Sequence, residues 1–264
     1  MTATMTAPPP TVLNEPPRPP LPRLTAVELR KMTDTRSGRW LLIVIALAAV
    51  AFMPVIVFTV PKQDQTLLEM MVASQAGVSL LLPVLGILSV TSEWSQRTAL
   101  TTFALVPDRY RVLTAKLAAC AALATAFLAF GLATAAATRG LGGAFGRSAG
   151  SWSMPPAQLG GMLVFSLALV FMGVAFGLVL MSPALAIVLY FLIPTIWSAL
   201  GEMIKKLHTP AEWLDSNRTL AVLADPAAGT ATAGEWARIG VSLAVWLLIP
   251  LVIGLYRLSR REVK

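Results

Sequence analysis

Catalysis by a protein side chain needs a nucleophile, a general base or a metal ligand, and this chain is sparing with all three. It holds one histidine and one cysteine. His208 pairs with Glu212 at i,i+4, which is not the H-E-x-x-H arrangement that sets two imidazoles on one zinc ion; it reads as an exposed loop residue. Cys120 lies among alanines and reads as a small apolar filler, and a lone cysteine excludes a disulfide scaffold. With the sole histidine in a loop, no Ser/His/Asp arrangement can be assembled. The glycine-rich run Gly140–Ser148 lacks both the G-x-x-x-x-G-K spacing and the lysine that cradle nucleotide phosphates. The chain is therefore expected to carry no catalytic residue, no metal and no nucleotide site of its own.

The remaining polar residues fall into two groups. Ser74 and Gln75 sit inside an apolar run and read as hydrogen-bonding groups between packed helices, and Gly173 with Gly177 forms a G-x-x-x-G pair that lets two helices approach closely. The second group is the stretch Thr91–Lys116, long, mixed and basic. Leu100, Phe103 and Ala104 share a helical face there, Glu93 and Arg97 crowd its start, and Pro107 would end the helix. Read bottom-up it is either a solvated connector or a docking helix for a partner.

What must position these residues follows from composition. Of 264 residues 56% are hydrophobic and 13% are charged, about half the charged share of a soluble domain. That excludes an ordinary soluble enzyme and a disordered chain, and leaves a polytopic membrane protein. Charge-free intervals locate the spans, since about 20 apolar residues cross ~30 Å of hydrocarbon. They predict spans near 40–61, 70–91, 117–138, 159–181, 183–200 and 239–256. The fourth and fifth come from one uninterrupted apolar stretch, broken at Met181-Ser182-Pro183 because proline disfavours helix before it and donates no N–H. Pro54, Pro83, Pro194 and Pro250 interrupt four spans as possible kinks. No Asp, Glu, Lys or Arg is expected deep in a span. The runs are continuous rather than alternating, so the expected fold is an all-α bundle of six transmembrane helices, not a barrel.

The net charge of +8 orients it. Across six spans, 14 Lys and Arg fall on the side of both termini and 7 on the other, while acidic residues divide six to seven. The whole excess thus lies on one face, and the positive-inside rule puts both termini in the cytoplasm. On a soluble chain such a charge would point to nucleic acid; here it is an orientation signal and no nucleic-acid partner is expected. No cleavable leader is expected either, because the first apolar run begins at Trp40 and is too long for one. Residues 1–23 are proline-rich and expected to be a disordered cytoplasmic tail. Residues 24–39 read as an amphipathic interfacial helix, with Thr25 and Glu28 as a capping box and Leu24 with Leu29 as its hydrophobic staple. The external loop 201–238 holds too many apolar residues to be freely solvated, and short helices dipping against the bundle are expected. Residues 257–264 form a cytoplasmic tail.

This ordered topology, together with Ser92-Glu93, Thr98, Pro107-Asp108-Arg109 and Lys116-Leu117, resembles the membrane (permease) subunit of type-2 ATP-binding-cassette exporters. The family's pattern is an acid, a Gly-Thr pair five residues on, Pro-x-Arg and a Lys at the start of the third span; here Arg97 stands at the glycine position. The Arg-Arg-Glu-Val ending is also similar. The resemblance implies a permease in the bacterial cytoplasmic (inner) membrane, paired with a separate cytoplasmic ATPase subunit that binds the ATP and Mg, and with a second permease chain, identical or not. It implies that loop 92–116 seats in the ATPase, with Glu93, Arg97, Thr98, Pro107 and Arg109 as coupling residues. Spans without buried charge would suit an apolar or amphipathic cargo such as a drug, lipid or lipid-linked molecule. The alternative is a non-transporting membrane anchor or assembly factor whose basic face recruits a partner or anionic lipid.

Overall fold

A computed structural model of the chain describes residues 19–96, 98–225 and 231–260. Most of the proline-rich stretch, Arg97 and the Arg-Glu-Val-Lys ending lie outside the described residues. Within them every regular element is helical, and six helices are long and apolar enough to cross a bilayer. These are α2 (Arg36–Thr59), α3 (Leu67–Ser95), α5 (Arg109–Ala144), α6 (Pro156–Leu180), α7 (Pro183–Met203) and a composite last helix, α10 (Ala233–Leu243) running through one π-helical stretch into α11 (Ile249–Arg260). Short helices fill the rest: α1 (Leu21–Asp34), α4 (Ala99–Leu105), α8 (His208–Leu214) and α9 (Ser216–Ala221). This is the architecture of a multi-pass membrane protein.

Most helices outrun their charge-free intervals. α5 begins eight residues before the expected start and α3 ends four residues after the expected stop. The reason is that backbone bonding does not stop at a charged side chain, which can bend to an interface or to a partner. The helices therefore carry charges just beyond the apolar intervals, at 93, 116 and 139. Glu93, Lys116 and Arg139 are all helical and at most 8% exposed. They sit near helix ends and are covered by protein.

α3 and α6 form the centre, with α2, α5, α7 and α11 around them. Gly173 and Gly177 lie against α3: a Cβ at Gly173 would fall 2.2 Å from the Pro83 carbonyl oxygen, and one at Gly177 would fall 3.1 Å from that of Ile87. Gly86 meets the Val170 carbonyl in the same way, so the two backbones cross nearly in contact. Ser74 differs from expectation. Its hydroxyl donates to Met71 O in its own helix at 2.8 Å, and Gly131 of α5 packs closely against it. Gln75 is buried and its Nε2 has no partner, so it too makes no helix-to-helix bond through that atom. The outward faces of α2, α7 and α11 are apolar and exposed, including Leu47, Phe58, Val188, Ile196 and Val252. In water such a belt would be an aggregation surface; in lipid it is the solvated surface.

The break at Met181-Ser182-Pro183 is present. Met181 adopts a left-handed conformation with φ 51°, its N–H closes on Gly177 O at 2.8 Å, and Pro183 opens α7 at its first position. The segment expected as one interfacial helix over 24–39 is two helices. α1 starts at Leu21, with Pro22 in its first turn and Pro20 as N-cap, which places 21–23 in helix rather than in the tail. Thr35 ends α1 and caps α2, its Oγ1 accepting from Gly38 N at 3.1 Å. The Thr25–Glu28 capping box does not form. Thr25 lies inside the helix and donates back to Leu21 O, and Glu28 is drawn into a stronger set of bonds described below. In the expected outer loop, α8 and α9 fold back as anticipated. Leu220 and Leu223 are buried against Phe176, Tyr190 and Ile239, and Asp215 caps α9 by accepting from Asn217 N and Arg218 N. His208 stands 3.7 Å from Glu212 and is exposed.

Candidate functional site

At the end of the bundle where α1, the close of α3, the start of α5 and the close of α11 meet, four charged side chains converge. α5 is started there by Asp108, whose Oδ1 accepts from Arg111 N at 3.2 Å. Two turns later Lys116 points inward. Its ammonium donates to Glu28 Oε2 at 2.6 Å, Glu93 Oε1 at 3.0 Å and the Ser89 carbonyl at 3.0 Å, three acceptors for three protons. Lys31, one turn along α1 from Glu28, donates to Glu28 Oε1 at 2.7 Å and Glu93 Oε1 at 2.8 Å. Thr102 of α4 adds a long bond to the same Glu93 oxygen at 3.5 Å.

The set is neutral, two carboxylates against two ammonium groups, and that explains how it can exist. A single buried ion costs several kcal/mol even after relaxation, and only close opposite charge with its remaining valences filled offsets that. Glu28, Glu93 and Lys116 side chains are 10% exposed or less, while that of Lys31 is 40% exposed. Burial pulls the Lys31 pKa down, but the hydrogen bonds and charges of Glu28 and Glu93 outweigh it and raise it above its ordinary value. Four helices are thereby tied together: α1 through Glu28 and Lys31, α3 through Glu93, α5 through Lys116 and α4 through Thr102.

α4 is anchored at this cluster and otherwise stands out from it. Thr98 N donates to Glu93 O at 2.9 Å, linking the two helices by backbone. Phe103 packs on Trp94 with ring centroids 6.4 Å apart, and the Arg109 guanidinium lies 5.2 Å from the Phe103 centroid. Arg109 also donates to the Leu258 carbonyl, so it joins the loop to α11. Arg111 donates to Pro19 O at 2.7 Å. Leu100 and Leu105 face outward, 49% and 75% exposed.

The five residues expected to act together are therefore placed differently from one another. Glu93 is buried and bonded internally. Thr98 is exposed as the residue before α4, without a side-chain cap. Pro107 is exposed in the joint between α4 and α5, and Arg109 is half-buried beneath α4. Arg97 lies outside the described residues. Sequence reading missed Glu28, Lys31 and Lys116 as partners of Glu93. The available signal was weak: an i,i+3 Glu/Lys pair on an amphipathic helix, and charges flanking two spans, with 23 to 88 residues between partners on different helices. Among the described residues no cluster of His, Cys, Asp and Glu could hold a metal ion.

Comparison of the chain with models of known families, with characterised proteins and with solved structures returns no match.

Proposed function

We propose that the chain is the permease subunit of an ATP-driven exporter in the bacterial inner membrane, forming with a second permease chain the path for an apolar or amphipathic cargo. In this reading both termini and α4 face the cytoplasm, α1 lies along the membrane surface, and a separate ATPase subunit seats on α4. The observation that carries it is α4 itself. A short helix with outward Leu100 and Leu105 is held between two spans, on the basic end of the bundle, by fastenings to α3 and α5. A solvated connector has no need of apolar outward residues, whereas a helix that transmits a partner's motion needs both a contact face and rigid roots. Glu93, Thr98, Pro107 and Arg109 then act as roots, and the contact falls to the outer face of α4.

The test is purification of the intact chain from native membranes. An ATPase subunit should co-purify, and Leu100→Glu should abolish its retention and the permease-stimulated ATP hydrolysis while the permease still elutes as a folded species. Recovery of the chain with no ATPase would favour the membrane anchor instead, and full stimulation by Leu100→Glu would remove α4 as the contact face.

A further inference from the structure

We infer that the cavity beside the charge cluster is a binding site for a phospholipid with an ethanolamine headgroup. The cavity has a volume of about 590 Å³ and lies between α1, the end of α3 and α4. That falls in the range of about 300–1,000 Å³ typical of small-ligand sites, which are mostly apolar with a few convergent polar groups. Here the apolar wall includes Leu24, Val27, Leu41, Leu88 and Leu105, and the polar floor is the cluster.

The valences of that floor decide the ligand. Its deep half is saturated: both oxygens of Glu28 accept, and all three protons of Lys116 are donated. Its other half is not. Every bond that Glu93 receives at its carboxylate falls on Oε1, and Lys31 has two acceptors for three protons. One free acceptor, Glu93 Oε2, and one free donor, on Lys31, therefore belong to adjacent side chains, and both of these line the cavity. The cluster is already neutral, so a ligand of net charge would leave that charge without a counter-charge in the cluster. A zwitterion does not. Its phosphate oxygen can take the Lys31 proton, and its primary ammonium, a few bonds away, can donate to Glu93 Oε2. Both are charge-assisted hydrogen bonds. The apolar wall then receives the first part of the acyl chains, which can enter on the side of exposed Val27 of α1. A choline headgroup has no N–H to donate, and a glycerol headgroup has no cation.

The inference requires only that this end of the bundle meets a bilayer, and holds whether or not the chain is an exporter subunit. It is tested by native mass spectrometry of the full chain in detergent, titrated separately with phosphatidylethanolamine, phosphatidylcholine and phosphatidylglycerol. Phosphatidylethanolamine should bind about tenfold more tightly than either, the effect of one charge-assisted bond. Ser92→Trp should fill the cavity and abolish that preference. Thr101→Trp, at an exposed lining position, should reduce it to about threefold. Soluble phosphoethanolamine at equal concentration should not displace the lipid. Equal affinity for the three lipids, an undiminished preference in Thr101→Trp, or displacement by the soluble headgroup would each overturn the assignment.

Discussion

Lys116 and Arg139 stand 23 residues apart on α5, about 35 Å along its axis at 1.5 Å per residue, and mark the two edges of a bilayer-thick slab. Both are buried, yet they are accommodated by different means. Lys116 is met by carboxylates from two other helices, α1 and α3. Among the described residues Arg139 meets no carboxylate. Its guanidinium donates to the carbonyls of Ser148, at 3.1 Å, and Gly150, and lies 5.1 Å from the Trp152 ring centroid. One charge thus welds distant segments together, and the other folds a loop back on its own helix. The difference reflects chemistry: an ammonium is a compact charge that demands counter-charge when desolvated, whereas a guanidinium spreads its charge over a fork of donors that backbone oxygens can satisfy. It also separates two tasks. The Lys116 end holds α1, α3, α4 and α5 in register, and the Arg139 end shapes one connection.

The comparison breaks most readily at Lys116. Lys116→Ala leaves two buried carboxylates facing one half-exposed lysine, and should cost about 3–5 kcal/mol in thermal or denaturant unfolding of the detergent-solubilised protein. Lys116→Met combined with Glu28→Gln and Glu93→Gln removes the charges together and should recover most of that loss, because a buried ion pair is worth little more than an apolar replacement of its size. If the single substitution costs no more than its counterpart at Arg139, the welded end is no weld.

At the other end Arg139→Met should cost about 1–3 kcal/mol, the penalty of leaving carbonyl groups unpaired. Its effect should stay local. Hydrogen exchange should rise across residues 145–155 while α1 keeps its protection. Spread of the effect to α1 would show that the two ends are not separable.

The same contrast governs what could be read from the sequence. The six spans were legible because about 20 apolar residues have few alternatives to crossing a bilayer, and Met181-Ser182-Pro183 was legible because proline acts on its immediate neighbours. Arg139 bonds to residues 9 and 11 positions away, within reach of local reasoning. The Lys116 cluster was not legible. Its partners lie 23 and 88 residues off, and each charge taken alone looks like the edge of a span or a solvated helix face. Thr25 and Glu28 satisfy the spacing of a capping box, and that local reading failed because a buried lysine 88 residues away competes for the carboxylate. Glu93 was read as a contact for a partner, while the structure buries it among Glu28, Lys31 and Lys116; composition gives no measure of what covers a charge.

The smallest effect sharpens the comparison, since it tests the solvent-facing edge of the welded end. Lys31 shares both carboxylates with Lys116 but is far more exposed, so its pairing is screened. Lys31→Ala should cost about 1 kcal/mol or less, well under the Lys116 substitution. The sign of its pH dependence follows from the raised pKa. A lysine held above its ordinary value of 10.5 contributes stability that is fully present below that pH and is lost as pH climbs through the folded-state value. The wild-type protein should therefore lose its small advantage over Lys31→Ala as the pH is taken upward from about 10, and show a constant advantage from neutrality to pH 9. An advantage that instead grew with alkalinity would mean that Lys31 is held unprotonated, leaving Lys116 as the one cation against two carboxylates.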